Sequence, residues 1–272
     1  MKKVFFILII PFLSFGQDYN LLPSIGLDDL PNDSDMICDI IHVGGINGTP
    51  HDIPNPGDVM SDFTLYDYFG NEYNMEEELM AGKHILLITG SYTCPKFRNK
   101  IDILNQVNED YGTLISSFVV YTVEAHPLDP DISPYSGDVW PSGESSGIEY
   151  NQPTTYGERK SIVYDLINNE DISVPVLIDG PCNEWWMHYT NGPNSAILIE
   201  NTGSIYNIQQ WFDDQGSDIN CDILNMLNEE ILDCNDNIEA SGTFSFNLVG
   251  DSIVYGAAGE TIFAYGEFLN NS

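Results

Sequence analysis

Apolar residues run unbroken through His84-Ile85-Leu86-Leu87-Ile88-Thr89 and through Ser117-Phe118-Val119-Val120-Tyr121-Thr122-Val123. Shorter runs follow at Val174–Gly180 and Ala196–Ile199. Continuous branched stretches of this length predict buried strands. Between the first two, Phe97, Ile101, Leu104, Val107 and Tyr111 recur at helical spacing and predict one helix over 95–111. Helical patterns also cover 156–168, 183–189 and 218–232, the last with Ile219, Ile223, Met226, Leu227 and Ile231 as its stripe. Thr202-Gly203 reads as a hairpin turn with a return strand over 204–209. Upstream, residues 57–65 read as a strand, Asp67–Asn71 as a turn and Met75–Ala81 as a short helix. The stretch 127–155, rich in Pro, Gly, Ser and Asp, is a long loop able to wall a site.

The order β-α-β-loop-α-β-α-β-β-α is that of an α/β thioredoxin-like fold with insertions. Its strand–helix–strand unit should be a right-handed parallel crossover. Both strands then end at one edge of the sheet, where open α/β sheets place their sites. Glu124 and His126, at the end of the second strand, should therefore come near the turn after the first. Pro193, ahead of the hairpin, would be the cis-proline of such a fold. Four segments are expected: a leader over 1–16, an arm over 17–55, the thioredoxin-like domain over 56–234 and a short C-terminal β segment over 235–272. The last has alternating strands with Gly-rich turns and is too short to close a sandwich.

The leader pattern is Met1-Lys2-Lys3, a short apolar run broken by Pro11, and small residues at Ser14 and Gly16. It predicts cleavage before Gln17 and an exported protein, secreted or periplasmic. Five cysteines in such a chain invite disulfides, and the odd count leaves at least one thiol free. The pairing of Cys38, Cys182, Cys221 and Cys234 stays open. Cys221 and Cys234 could join only if the helix between them ends early.

Cys94 carries the candidate chemistry. Gly90-Ser91 breaks the strand and Pro95 opens the helix, so Cys94 sits on a strand-to-helix turn. Unpaired N–H groups and the positive end of the helix dipole favour a thiolate there. A buried, inert cysteine is the alternative. The chain has 8 Lys+Arg against 42 Asp+Glu, yet Lys96, Arg98 and Lys100 follow this cysteine within two turns. They either lower the thiol pKa or form a solvated helix face. A formal charge of −34 excludes nucleic acid and anionic membranes as partners. The Asp-rich stretches lack the ligand spacing of a calcium loop, so no metal site and no cofactor is expected.

Gly90-Ser91-Tyr92-Thr93-Cys94-Pro95-x-Phe97, with Tyr121-x-x-Glu124-Ala125-His126-Pro127-x-Asp129, resembles the iodothyronine deiodinase family. The likeness spans about 57–212 and continues through Gln152, Glu158-Arg159, Asp179 and Asn183-x-x-x-x-x-Tyr189. That family is a thioredoxin-like branch near the peroxiredoxins, with selenocysteine at the place of Cys94. The resemblance implies a nucleophile that attacks a halogen or an oxidised group, with Glu124 and His126 aiding proton delivery. Thr93, Pro95, Arg98, Arg159 and Pro193 would support it. Three departures concern the substrate. A second histidine of the family stands as Pro153, an arginine as Ser195, and its glycine-rich strand end as Gln209-Gln210-Trp211-Phe212.

The expectation is an exported thiol oxidoreductase acting on a small molecule, with Cys94 as sole nucleophile and an external thiol reductant. No Cys-x-x-Cys is present, so resolution falls to that thiol or to Cys182. Two other readings are a thiol peroxidase and a non-catalytic binding module of a secreted chain.

Overall fold

The computed structural model describes residues 19, 21–40, 54–139, 145–189, 192–214 and 216–227. The expected leader and the C-terminal segment 235–272 lie outside them. Strands β3 (His84–Gly90), β4 (Ile115–Tyr121) and β5 (Val176–Ile178) pair in parallel at the centre of a mixed sheet. A hairpin of β1 (Thr64–Asp67) and β2 (Glu72–Asn74) joins β5 antiparallel. A second hairpin, β6 (Ala196–Ile199) and β7 (Ile205–Gln209), joins β3 antiparallel. The order is β2-β1-β5-β4-β3-β6-β7. A parallel crossover flanked by an antiparallel hairpin is the thioredoxin-like α/β arrangement.

The apolar runs are continuous because both faces of the sheet are covered. Leu86, Ile88, Val119, Tyr121, Val176 and Leu198 pack on one face. They meet α3 (Ile101–Tyr111), α4 (Tyr156–Asn169) and α6 (Ile219–Met226) through Leu104, Val163 and Ile223. Ile85, Leu87, Phe118, Val120 and Ile197 point the other way. There they meet α1 (Met75–Met80) and α5 (Glu184–Tyr189) through Leu79 and Trp185. Among the described residues no helix is long and apolar enough to cross a membrane.

Several element boundaries differ from the sequence reading. The strand expected over 57–65 is confined to β1, which runs on through Asp67 and pairs with an unexpected β2, and the helix expected over 218–232 is described as α6 up to Met226. The single helix expected over 95–111 is split into α2 (Pro95–Arg98) and α3. Lys100 leaves helical geometry at φ −112°, ψ 3°, and its N–H is drawn back to the Phe97 carbonyl, which tightens the end of α2. Strand β4 stops at Tyr121 because the N–H groups of Ala125 and His126 bond side chains of the cysteine turn, not a neighbouring strand.

The arm is extended and bonded. The N–H groups of Leu22, Ile25 and Leu27 donate to the carbonyls of Met60, Asp62 and Thr64. Gly26 is required in that approach, since a Cβ there would stand 2.1 Å from the Thr64 nitrogen. Farther on, Ile37 N–H donates to Thr154 O and Cys38 N–H to Pro181 O, and the Cys38–Cys182 disulfide closes the arm onto the loop after β5. That bridge spans 144 residues, a loop whose closure constrains the unfolded chain strongly. The paired change Cys38→Ser with Cys182→Ser is expected to cost about 2–4 kcal/mol in urea unfolding. An unchanged midpoint would contradict a stabilising role for the bridge.

Candidate active site

The turn after β3 is shaped by Gly90, where a Cβ would lie 2.6 Å from the Phe97 ring. Only glycine lets the ring fold back onto the strand end and pull the next residues into a turn. Cys94 caps α2 in extended geometry and Pro95 takes the first helical position. Residues 90–93 of the turn are each bonded to the end of β4 or the segment after it. Thr122 N–H donates to Gly90 O at 3.2 Å, and Ala125 N–H to Ser91 Oγ at 3.1 Å. Tyr92 N–H donates to the Tyr121 hydroxyl, and His126 N–H to Thr93 Oγ1, each at 3.1 Å.

Glu124 is the hub of this junction. Its carboxylate is fully buried and accepts from Thr93 N–H at 3.1 Å, from Thr93 Oγ1–H at 2.7 Å and from the Tyr121 hydroxyl. Burial raises its pKa, while the Tyr121 and Thr93 bonds and the charge of Arg159 act the other way. The Gln152 side-chain amide clamps the Glu124 backbone, accepting from its N–H at 2.9 Å and donating to its carbonyl at 2.6 Å. The topology thus brings Glu124 and His126 to the cysteine turn.

Cys94 is the free cysteine among the described residues and is only 1% exposed. Its thiol is not poised as a thiolate: burial pushes the pKa up from 9.0 to about 11. Backbone N–H groups of Phe97 and Lys96 and the charge of Arg98 oppose this, and the Glu124 charge adds to it. The turn supplies the donors expected at a helix start, but desolvation outweighs them. Sequence position could not reveal this, because the cover comes from distant parts of the chain. His126 is pushed down to about 4, first by burial and then by Arg98, so its imidazole is neutral at pH 7.

The three cations hold loops. Arg98 donates to the carbonyls of Tyr92, at 2.7 Å, and Ser145, at 2.8 Å. Lys96 pairs with Asp214 at 2.8 Å, and Lys100 with Asp213 at 3.7 Å. Arg159 is buried beneath the site. It donates to the carbonyls of Asp179 and Gly180, at 2.8 Å each, and to Asn183 Oδ1 at 2.5 Å. Asp179 in turn accepts the N–H groups of Gly180, Trp185 and Trp186, anchoring α5, and burial raises its pKa to about 6.

Two site expectations are corrected. Cys182 is not a resolving thiol, because its sulfur is bonded to Cys38. Pro193 is not a cis-proline: the cis peptide among the described residues is Asp129–Pro130. Pro193 lies in a turn in which the Ser195 hydroxyl donates to Gly192 O, and Ser195 O already accepts Thr89 N–H, so the chain enters β6 directly. Tyr121, Ser91 and Gln152 belong to the junction as well; all three stand in the family likeness, but the sequence assigns them no role, and their bonds supply it. Among the described residues no cluster of His, Cys, Asp and Glu could hold a metal ion.

The described residues have a thioredoxin-like α/β fold with a free cysteine at the strand-to-helix turn. No family model matches the chain. Among solved structures it is similar to a DsbE-type thiol:disulfide interchange protein from Chlorobium tepidum. That match has 15% identity and a TM-score of 0.44, over 65% of this chain and 99% of the other. It is also similar to an exposed lipoprotein thioredoxin from Streptococcus pneumoniae, at 16% identity and a TM-score of 0.42, over 62% and 100%.

Proposed function

We propose that this protein is an exported, thiol-dependent oxidoreductase with Cys94 as its single nucleophile. The observation that carries the reading is a free thiol at the start of α2, beside a buried carboxylate that grips the preceding residue. Glu124 accepts the thiol proton, aided by the Thr93 hydroxyl, and the thiolate attacks an electrophilic atom X of a substrate R–X. X passes to the sulfur, and R leaves with the bonding pair and takes up the proton. An external thiol then attacks the Cys94 sulfur, expelling X as an anion and forming a mixed disulfide. A second external thiol releases Cys94 as the thiol, and the reductant departs as its disulfide. The segments 90–97 and 121–129 favour reductive dehalogenation within this class. Neutral His126 then serves as a hydrogen-bonding wall of the site.

Turnover of a halogenated phenol, a small disulfide and a peroxide with dithiothreitol tests this. Cys94→Ser is expected to lose at least about 100-fold in rate, since no second nucleophile replaces it. Retained activity would sink the reading. Glu124→Gln separates two roles. Turnover is expected to fall about 10- to 100-fold through loss of the base. The Cys94 pKa is expected to fall too, because a negative neighbour is gone. A rise in that pKa would remove Glu124 from the mechanism.

The burial of Cys94 favours one other reading, a non-catalytic thioredoxin-like module whose cysteine is inert. Absence of turnover on all three substrate classes is the outcome that selects it.

A further inference from the structure

Residues 209–214 leave the edge strand β7 and cross back toward α2. Phe212 is buried in the same core as Cys94, and its N–H donates to Asn194 O at 2.7 Å. The β3–β6 pairing ends at Ile88 with Ala196, and the Thr89 N–H bond to Ser195 O carries it on toward Gly90 and Asn194, where the cysteine turn begins. The crossing segment is therefore seated over the strand ends that carry the turn. Its other attachments run to α2 and the residue pair after it, to Gln209, whose Oε1 accepts the Asp213 N–H at 2.8 Å, and to α6, where Ile219 N–H donates to Asp213 Oδ1 at 3.1 Å. Lys96 reaches Asp214 at 2.8 Å and lies 4.5 Å from the Trp211 ring centre, while Lys100 donates to the Asp213 carbonyl and pairs with its carboxylate. Asp213 holds φ +48°, a left-handed turn that presents its carbonyl and Oδ2 to Lys100 while Oδ1 accepts the Ile219 N–H.

These lysines are two of only 8 Lys+Arg in the chain, both within six residues of the free thiol of the described residues. A scarce cation in an acidic protein has many exposed carboxylates to pair with. Here both bind one short segment. The Lys96 side chain is 54% exposed, so its pair is weak and open to screening by salt.

We propose that Lys96 and Lys100 are positioning residues for the reaction of Cys94: they hold 210–214 as a strap over the cysteine turn, and release of the strap admits substrate and reductant. The inference rests on the reading of Cys94 as the reacting group. Release also has a chemical consequence. Burial is the first cause opposing the thiolate, and the donors of α2 and the charge of Arg98 remain once water enters. The open form is then the reactive one, and the closed form protects the thiol from solution oxidants.

Labelling of Cys94 by iodoacetamide, an uncharged reagent, tests the strap without any turnover. Failure here is thus distinguishable from failure of the enzymatic reading. Between 0.05 and 1 M NaCl the native protein is expected to label about two- to tenfold faster, the range one exposed and one partly buried ion pair can impose on an opening equilibrium. Lys96→Ala with Lys100→Ala should label at the high rate already at low salt and lose most of the salt response. Lys96→Arg should behave as the native protein. An undiminished salt response in the double variant would place the effect in the general acidic field and overturn the strap. So would a rate increase that merely tracks a fall in the urea midpoint. Labelling indifferent to salt and to every variant would overturn it as well, and the salt series on the unaltered protein needs no variant to fold.

Discussion

At pH 7 and low salt, Cys94 is expected to alkylate about 100-fold more slowly than an ordinary exposed cysteine. A thiol with a pKa of about 11 holds roughly a hundredth of the thiolate of one at 9.0. The rate should climb about tenfold per pH unit and level only near pH 11. A plateau below pH 8 would show that the thiol is not desolvated in the resting fold. Stability carries the same signature. The unfolded chain releases this proton near 9.0 and the folded chain near 11, so the fold binds the proton more tightly. The contribution is fully present below pH 9 and is lost as pH rises through about 11. Its full size is about 3 kcal/mol, at about 1.4 kcal/mol per pKa unit. Tyrosines also titrate in this window, so the measurement is the difference between the native protein and Cys94→Ser, whose stability should fall less from pH 9 to 11.

Arg159→Met is expected to cost about 3–5 kcal/mol in urea unfolding, the range for removing one partner of a buried charge pair. The guanidinium is fully buried and satisfies two carbonyls and the Asn183 amide. Its charge also opposes the burial penalty on Asp179 and on Glu124. Methionine fills much of the volume but leaves two carbonyls and two buried carboxyl groups without their cation. The proton affinities of those groups should rise, and α5, whose first N–H groups rest on Asp179, should loosen with them. A loss below about 1 kcal/mol would mean that the network reorganises around the gap. Because Glu124 is the proposed base, turnover in Arg159→Met should also peak at higher pH.

These two residues bracket the logic of the site. Arg159 makes a buried carboxylate tolerable beneath the cysteine turn, and that carboxylate holds Thr93 in place. The result is an ordered junction around a thiol that is protected while the fold is closed. Reactivity is then governed by opening, and the scarce lysines after Cys94 become the means of control.

The strand runs at 84–89 and 117–123 were legible because two-sided burial demands continuous apolar sequence. Their parallel pairing followed from the length of the crossover, and with it the meeting of Glu124 and His126 with the cysteine turn. The break at Lys100 was not legible, since the apolar stripe continues across it and only the backbone geometry of Lys100 separates the two helices. Nor was the Cys38–Cys182 bridge, where local spacing says nothing about an arm that returns past β1 and α4. Pro193 shows the same limit: proline permits a cis bond, but the neighbouring ladder decides it.

By itself the sequence determined the layered α/β fold, the position of Cys94 at a strand-to-helix turn, and the acids and histidine that face it. Those properties are set by periodicity, turn chemistry and chain connectivity, all local or nearly so. The tertiary structure alone decided the protonation of the thiol and the employment of its three cations. The cations meet partners 47 to 118 residues away, and the thiol is held neutral by burial; desolvation is a property of what surrounds a group, not of its neighbours along the chain.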